Sequence, residues 1–164
     1  MKINTVLAAV DINDDLAEAV IMAAAEMAQR DKAALHVVDA WPVMSPVALG
    51  GTPEMEPGAI LMSEANYEAD KEAQEDAEKR LKALTHKYDP KAEARLVIGE
   101  PADVVARIAK ETGADLIVSG SHQKGAWARL FSGSDSASLI REAPCGVFLV
   151  TKIFAEKLLA GAKK

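Results

Sequence analysis

The sequence predicts a single-domain α/β fold in which helices cover both faces of a mostly parallel sheet. Three observations predict it. Strand-like and helix-like segments alternate along the chain, in the order β-α-β-loop-α-β-α-β-α-β. Most of the strand-like segments are short continuous apolar runs, the pattern of strands buried on both faces. The 164 residues, 49% hydrophobic and 27% charged, suffice for one core. Right-handed crossovers between parallel strands then leave only a few topologies.

Residues 5–10, Thr-Val-Leu-Ala-Ala-Val, form the first strand, which ends at Asp11. Helix one follows, with Asp15 and Glu18 in capping-box spacing and Leu16, Ala19, Val20, Ala23 and Met27 on one face. Residues 34–38 are the second strand, and Asp39-Ala40-Trp41-Pro42 turns the chain out of the sheet. From Trp41 to about Met62 there is no periodicity, and the segment holds Pro42, Pro46, Pro53 and Pro57 with Gly50, Gly51 and Gly58. A loop of that length is either a tolerated insertion or a lid or partner surface. Residues 63–86 read as a long helix with a thin apolar stripe of Ala69, Ala73, Ala77, Leu81 and Leu84. Its charged face offers the pairs Glu75–Lys79 and Glu78–Lys82, the solvated-face pattern.

Residues 93–98 alternate as strand three. Gly99-Glu100-Pro101 turns into helix three, where Val104, Val105, Ile108 and Ala109 supply the buried face before Gly113 ends it. Strand four spans 115–119. A loop with glycines at both ends follows, from Gly120 and Gly125 to Gly133-Ser134, then a helix over 135–143 and a fifth strand over 147–150. In the tail, Ile153, Phe154, Leu158 and Leu159 fall at helical spacing and predict a short C-terminal helix. The expected organisation is one domain over 1–152, with an insertion at about 42–62, and a short extension over 153–164.

A loop that leaves a buried strand and enters a helix N-terminus suits phosphate. Its N–H groups lack intrahelical partners, the helix dipole favours anions, and glycine admits close approach. Gly120 and Gly125 have the spacing that opens a Walker A loop, but Ala126 and Trp127 stand where Lys and Ser or Thr are required, so that motif is absent. The residues by themselves therefore indicate only an anion site. The stretch does, however, resemble the universal stress protein family. ATP-binding members of that family carry Gly, two residues, Gly, nine residues, then Gly-Ser or Gly-Thr between strand four and helix four. Here Gly120 fills the first position and Gly133-Ser134 the last, while Gln123 occupies the middle one. Ala-Pro-Cys-Gly-Val-Phe-Leu-Val, from Ala143 to Val150, also resembles that family's approach to strand five.

The resemblance implies a doubly wound five-stranded parallel sheet of order 3-2-1-4-5. In such a sheet the ligand crevice lies beyond the carboxyl ends of strands one and four, where the winding reverses. Asp11 and Gly120 are the residues just past those strands. On general grounds Asp11 is either a cap for helix one or a hydrogen-bond acceptor for a ligand. The resemblance favours contact with adenosine, with Val10 beside it and Val37 lining the adenine. It places Ser119, Gly120 and Ser121 at the ribose and phosphates, and Gly133, Ser134 and Ser136 at the phosphates. His122 is either a phosphate contact or a solvated loop histidine, and Asp135 contributes backbone only. Gln123 departs from the pattern, since a side chain there blocks approach or forces a positive φ costing about 1–2 kcal/mol. Asp135 sets a carboxylate beside the phosphates, which repels anions unless a cation such as Mg²⁺ bridges them. Lys124 and Arg129 offset part of that repulsion.

The implied function is that of an ATP-binding regulatory or stress-response protein. The alternative is a nucleotide-free dimeric interaction module of the same fold. Slow ATP hydrolysis has no support, because no base or arginine finger stands in a defined place. Strand five is expected at the sheet edge, where family members dimerise, so a homodimer through that strand is expected. Trp127 suits either stacking on a ligand or a dimer contact, the latter favoured. The net charge of −6 offers no basic surface for duplex nucleic acid. No apolar stretch reaches the roughly 18 residues of a membrane span. The first strand is too short and too soon charged for a signal peptide, and the single cysteine, Cys145, suits a reducing compartment, so the expected location is cytoplasmic. Cys145 itself reads as buried and inert, and His36 as a packed core residue. With three scattered histidines, no metal cluster is expected.

Overall fold

A strand apolar on both faces is stable only between two helical layers, and β1 (Thr5–Val10) has that character, with Val6 to Val10 all buried. The protein is seen in a computed structural model that describes residues 2–42, 57–121 and 143–162, with backbone alone for 57–64. Among these, β1 is followed by α1 (Ala17–Asp31), β2 (Ala34–Trp41), α2 (Pro57–Tyr88), β3 (Glu93–Ile98), α3 (Pro101–Thr112), β4 (Leu116–Gly120), β5 (Gly146–Val150) and α4 (Lys152–Gly161). The five strands pair in parallel in the order β3-β2-β1-β4-β5, as expected.

Period-two alternation divides β1 between two cores. Val6, Ala8 and Val10 join α1, Ala77 and Leu81 of α2, and Ala155 of α4. Leu7 and Ala9 face the other way, onto Val104, Val105, Ile108 and Ala109 of α3. Helices therefore cover both faces. The α3 helix keeps its expected bounds, with Pro101 in its first turn and Gly113 at φ 63 closing its C-terminus. A β-carbon at Gly113 would meet nothing, so the left-handed backbone, and not space, selects glycine there.

Four expectations are corrected. First, β2 does not turn out at Asp39 but runs on to Trp41, because Asp39, Ala40 and Trp41 pair with Leu96, Val97 and Ile98 of β3. Second, α2 begins at Pro57 rather than 63; proline has no N–H to leave unpaired and suits a first helical turn. Its buried stripe is also rotated: Ala77 and Leu81 are buried, but Ala69 and Ala73 are exposed. Asp70 and Gln74 turn inward instead, where Asp70 accepts hydrogen bonds from Trp41 Nε1 (3.1 Å) and Gln74 Nε2 (2.7 Å). The Glu78–Lys82 pair forms at 2.6 Å.

Third, Asp15 and Glu18 do not make a capping box. Asp14 accepts the Leu16 N–H at 2.8 Å ahead of α1, while Glu18 is taken by Lys87 Nζ and Tyr88 Oη, both at 2.7 Å, at the end of α2. Fourth, Cys145 and His36 are only half-buried. Burial pushes the Cys145 thiol up, and His36 Nδ1 lies 3.4 Å from Glu93 Oε2. The C-terminal segment forms its expected helix: Thr151 Oγ1 accepts the Phe154 N–H, and the Phe154 ring meets Phe148 edge-on at 5.7 Å. The helix expected over 135–143, apart from Ala143, and the insertion over 43–56 lie outside the described residues.

Candidate functional site

Parallel strands that all end on one side of a sheet place their last residues along one rim, and the winding reverses between β1 and β4. Asp11 follows β1 and is half-buried. Its Oδ1 accepts the Asn13 N–H at 2.9 Å, and its carbonyl accepts the Asp14 N–H at 2.9 Å, an Asx-type turn. Asp11 therefore shapes the turn between β1 and α1 without capping α1, whose N-cap is Leu16. Across the reversal, Gly120 ends β4, and the Ser121 N–H donates to Val150 O at 2.9 Å, prolonging the β4–β5 pairing. Ser119 is buried and its Oγ donates to Ala9 O at 3.1 Å, tying β4 to β1 just below the rim.

Val10 and Val37 are both 1% exposed and belong to the core beneath the rim. Val37 sits deeper than expected because β2 continues four residues beyond it. Thus Val10, Asp11, Ser119, Gly120 and Ser121 come together at the β1–β4 reversal, with Val37 under the neighbouring strand. His122, Gly133, Ser134, Asp135 and Ser136 lie outside the described residues, as do Gln123, Lys124, Trp127 and Arg129.

Two residues at the rim were not anticipated. Asp39, read as part of a turn, is 2% exposed and points toward the α1–α2 layer. It pairs with Val10, one residue below Asp11, and its Oδ2 accepts the Ile12 N–H at 3.0 Å. Arg80 reaches the same turn from α2. Its Nη2 donates to Asn13 Oδ1 at 2.7 Å, and its Nε to Asp76 Oδ2 at 2.8 Å. A chain of polar contacts thus runs Asp76–Arg80–Asn13–Asp11. The only sequence signal for Asp39 was a lone acid closing an apolar run, and for Arg80 there was none.

The charges follow from this packing. Burial raises Asp39 from 3.8 to about 7, further aided by Asp11; the Ile12 N–H and Arg80 pull the other way. Burial also raises Asp11, with Asp14 adding to it against the Asn13 N–H and Arg80. The rim therefore presents a half-buried carboxylate as acceptor, a second carboxyl beneath it, and a guanidinium alongside. Of these, the Asp11 carboxylate can accept hydrogen bonds from hydroxyl or amino groups of a ligand. Among the described residues no cluster of His, Cys, Asp or Glu is arranged for a metal ion, and no helix is long and apolar enough to cross a membrane.

The model of the universal stress protein family matches residues 2–151. A Thermus aquaticus relative, the universal stress protein in the QAH/OAS sulfhydrylase 3′ region, is 37% identical over 148 residues, covering 89% of this chain and 97% of its own. Among solved structures, the universal stress protein of Archaeoglobus fulgidus in complex with dAMP is 25% identical, with TM-score 0.53 over 91% of this chain and 98% of that one. A universal stress protein in complex with cAMP shares the fold at 24% identity, with TM-score 0.54, covering 92% of this chain and 98% of that one.

Proposed function

The chain belongs to the universal stress protein family, and from that membership we propose that it binds ATP, together with Mg²⁺, at the rim between β1 and β4. Its role is regulatory or stress-response, in the cytoplasm. The observation that carries this reading is Asp11. It is a half-buried carboxylate at the switch point, with one oxygen engaged by Asn13 and, among the described residues, no donor on the other. An acceptor so placed suits the hydroxyl donors of a ribose, with Gly120 at the end of β4 and Ser121 just past it on the other side of the reversal. In this reading Val10, Val37 and Ser119 form the floor. His122, Gly133, Ser134, Ser136 and the backbone of Asp135 would hold the phosphates, and the Asp135 carboxylate would help hold a Mg²⁺ that offsets the phosphate charge. The dAMP complex of the Archaeoglobus fulgidus protein supports an adenine nucleotide as the ligand class.

Calorimetry tests it. ATP binds in the micromolar range, more tightly with Mg²⁺. Gly133→Val abolishes binding by filling the phosphate path, and Gln123→Gly strengthens it. Wild type that takes up no ATP at millimolar concentration with Mg²⁺ refutes the reading. The function then passes to a nucleotide-free homodimeric interaction module. One observation favours that second reading: β5 is an edge strand, and Ile153, just beyond it, is 69% exposed. Sedimentation showing monomer alone at micromolar concentration would remove the dimer from both readings.

A further inference from the structure

We propose that Asp39 is a positioning residue for the nucleotide rim: its carboxyl holds the turn that presents Asp11, and a proton on that carboxyl tightens ligand binding. This rests on the nucleotide reading above.

The geometry is specific. Asp39 is 2% exposed, and among the described residues its hydrogen-bond partner is the N–H of Ile12, the residue after Asp11. The contact anchors the turn from below, while Asn13 and Arg80 fix it from above. The groups that act on the carboxyl come from two elements. Asp11 at the end of β1 opposes its ionisation, and Arg80 of α2, gripped by Asp76, favours it. Its strand partners Val10 and Leu96 bring no charge. A buried carboxylate with one neutral donor and an acidic neighbour keeps its proton to about pH 7.

The functional consequence follows from charge. A nucleotide brings anionic phosphate to a rim where Asp11 is already negative. When Asp39 is protonated it adds no charge and still accepts the Ile12 N–H. When it ionises, a second carboxylate sits beneath Asp11 in a poorly screened place, which repels the anionic ligand. Binding is therefore stronger below the Asp39 pKa, and is accompanied by proton uptake near neutrality.

The probe is cAMP, whose phosphodiester has no proton to exchange near neutrality, so any pH dependence belongs to the protein. Calorimetry on the full chain should show affinity falling about tenfold from about pH 6 to about pH 8.5, equivalent to a one-unit change in the Asp39 pKa on binding. Asp39→Asn should bind with an affinity that is flat in pH, because the amide oxygen still accepts from Ile12 but does not titrate. In ligand-free protein the Ile12 amide resonance should shift with a midpoint near 7, and this shift should vanish in Asp39→Asn. Binding whose affinity is independent of pH, or an Asn variant with the wild-type slope, overturns the proposal. An Ile12 amide that does not move across this range overturns it as well. If neither cAMP nor ATP binds at any pH, the nucleotide reading fails and takes the ligand half of the proposal with it. The Ile12 titration then decides the positioning half by itself.

Discussion

Asp11 and Asp39 leave neighbouring parallel strands at nearly the same height, Asp39 level with Val10 and Asp11 one residue further on. Both accept a backbone N–H from the turn after β1, Asp11 from Asn13 at 2.9 Å and Asp39 from Ile12 at 3.0 Å. Their surroundings separate them. Asp11 sits past the end of its strand and keeps contact with solvent, whereas Asp39 lies inside β2, because that strand continues for two more residues beside β3. Two further residues of strand thus separate a surface acceptor from a buried acid that titrates near neutrality. The chemistry of an aspartate at a strand end is set by where the neighbouring strand stops.

The contrast is sharpest in stability. The fold raises the Asp39 pKa from 3.8 to about 7, so the folded state favours its protonated form. That contribution is fully present below about pH 4 and is lost as pH rises through about 7, a change on the order of 2–4 kcal/mol. Asp39→Asn should remove this slope, making the variant more stable than wild type at about pH 8 by about 2 kcal/mol. Urea unfolding of both proteins across the range checks it, and parallel curves would mean that Asp39 is not a buried acid.

A smaller effect is expected at Arg80, the cation that acts on both carboxylates. Arg80→Ala should move the Ile12 titration midpoint above that of wild type and lower stability at about pH 8 by about 1 kcal/mol, through lost contacts to Asn13 and Asp76. An unchanged midpoint would show that solvent screens the guanidinium fully. The smallest effect belongs to Asp11→Asn, which should alter stability by about 0.5 kcal/mol or less, because water reaches the carboxylate. A thermal shift as large as that of Asp39→Asn would erase the distinction between the two positions.

Much of the architecture was legible from residue order. β1 and β3 and the α3 helix appear where apolar runs, Pro101 and Gly113 place them, because local patterning and turn chemistry agree there. Asp11, Ser119 and Gly120 were readable as residues of the rim between β1 and β4 once the family resemblance supplied the strand order, since each stands at a strand end. The failures came where local signals competed with pairing. Asp39 and Pro42 read as turn residues, yet the ladder to Leu96, Val97 and Ile98 holds β2 extended through Trp41. Ala69 and Ala73 suggested an inward stripe on α2, but Trp41 Nε1 draws Asp70 inward and rotates the buried face. Glu18 had the spacing for a cap, and Lys87 and Tyr88 claim it from 69 and 70 residues away.

With the strand order that the family resemblance implied, the sequence pointed to the rim between β1 and β4; by itself it determined the alternation of strands and helices and the two-sided burial of the sheet. These depend on periodicity and on the ends of apolar runs, which are local properties. Only the tertiary structure decided that Asp39 is buried beneath Asp11, that Arg80 reaches across from α2, and that the C-terminal segment closes the core through Ala155. Burial and electrostatic environment come from neighbours far away in sequence, and a residue's charge state follows from those neighbours rather than from its own type.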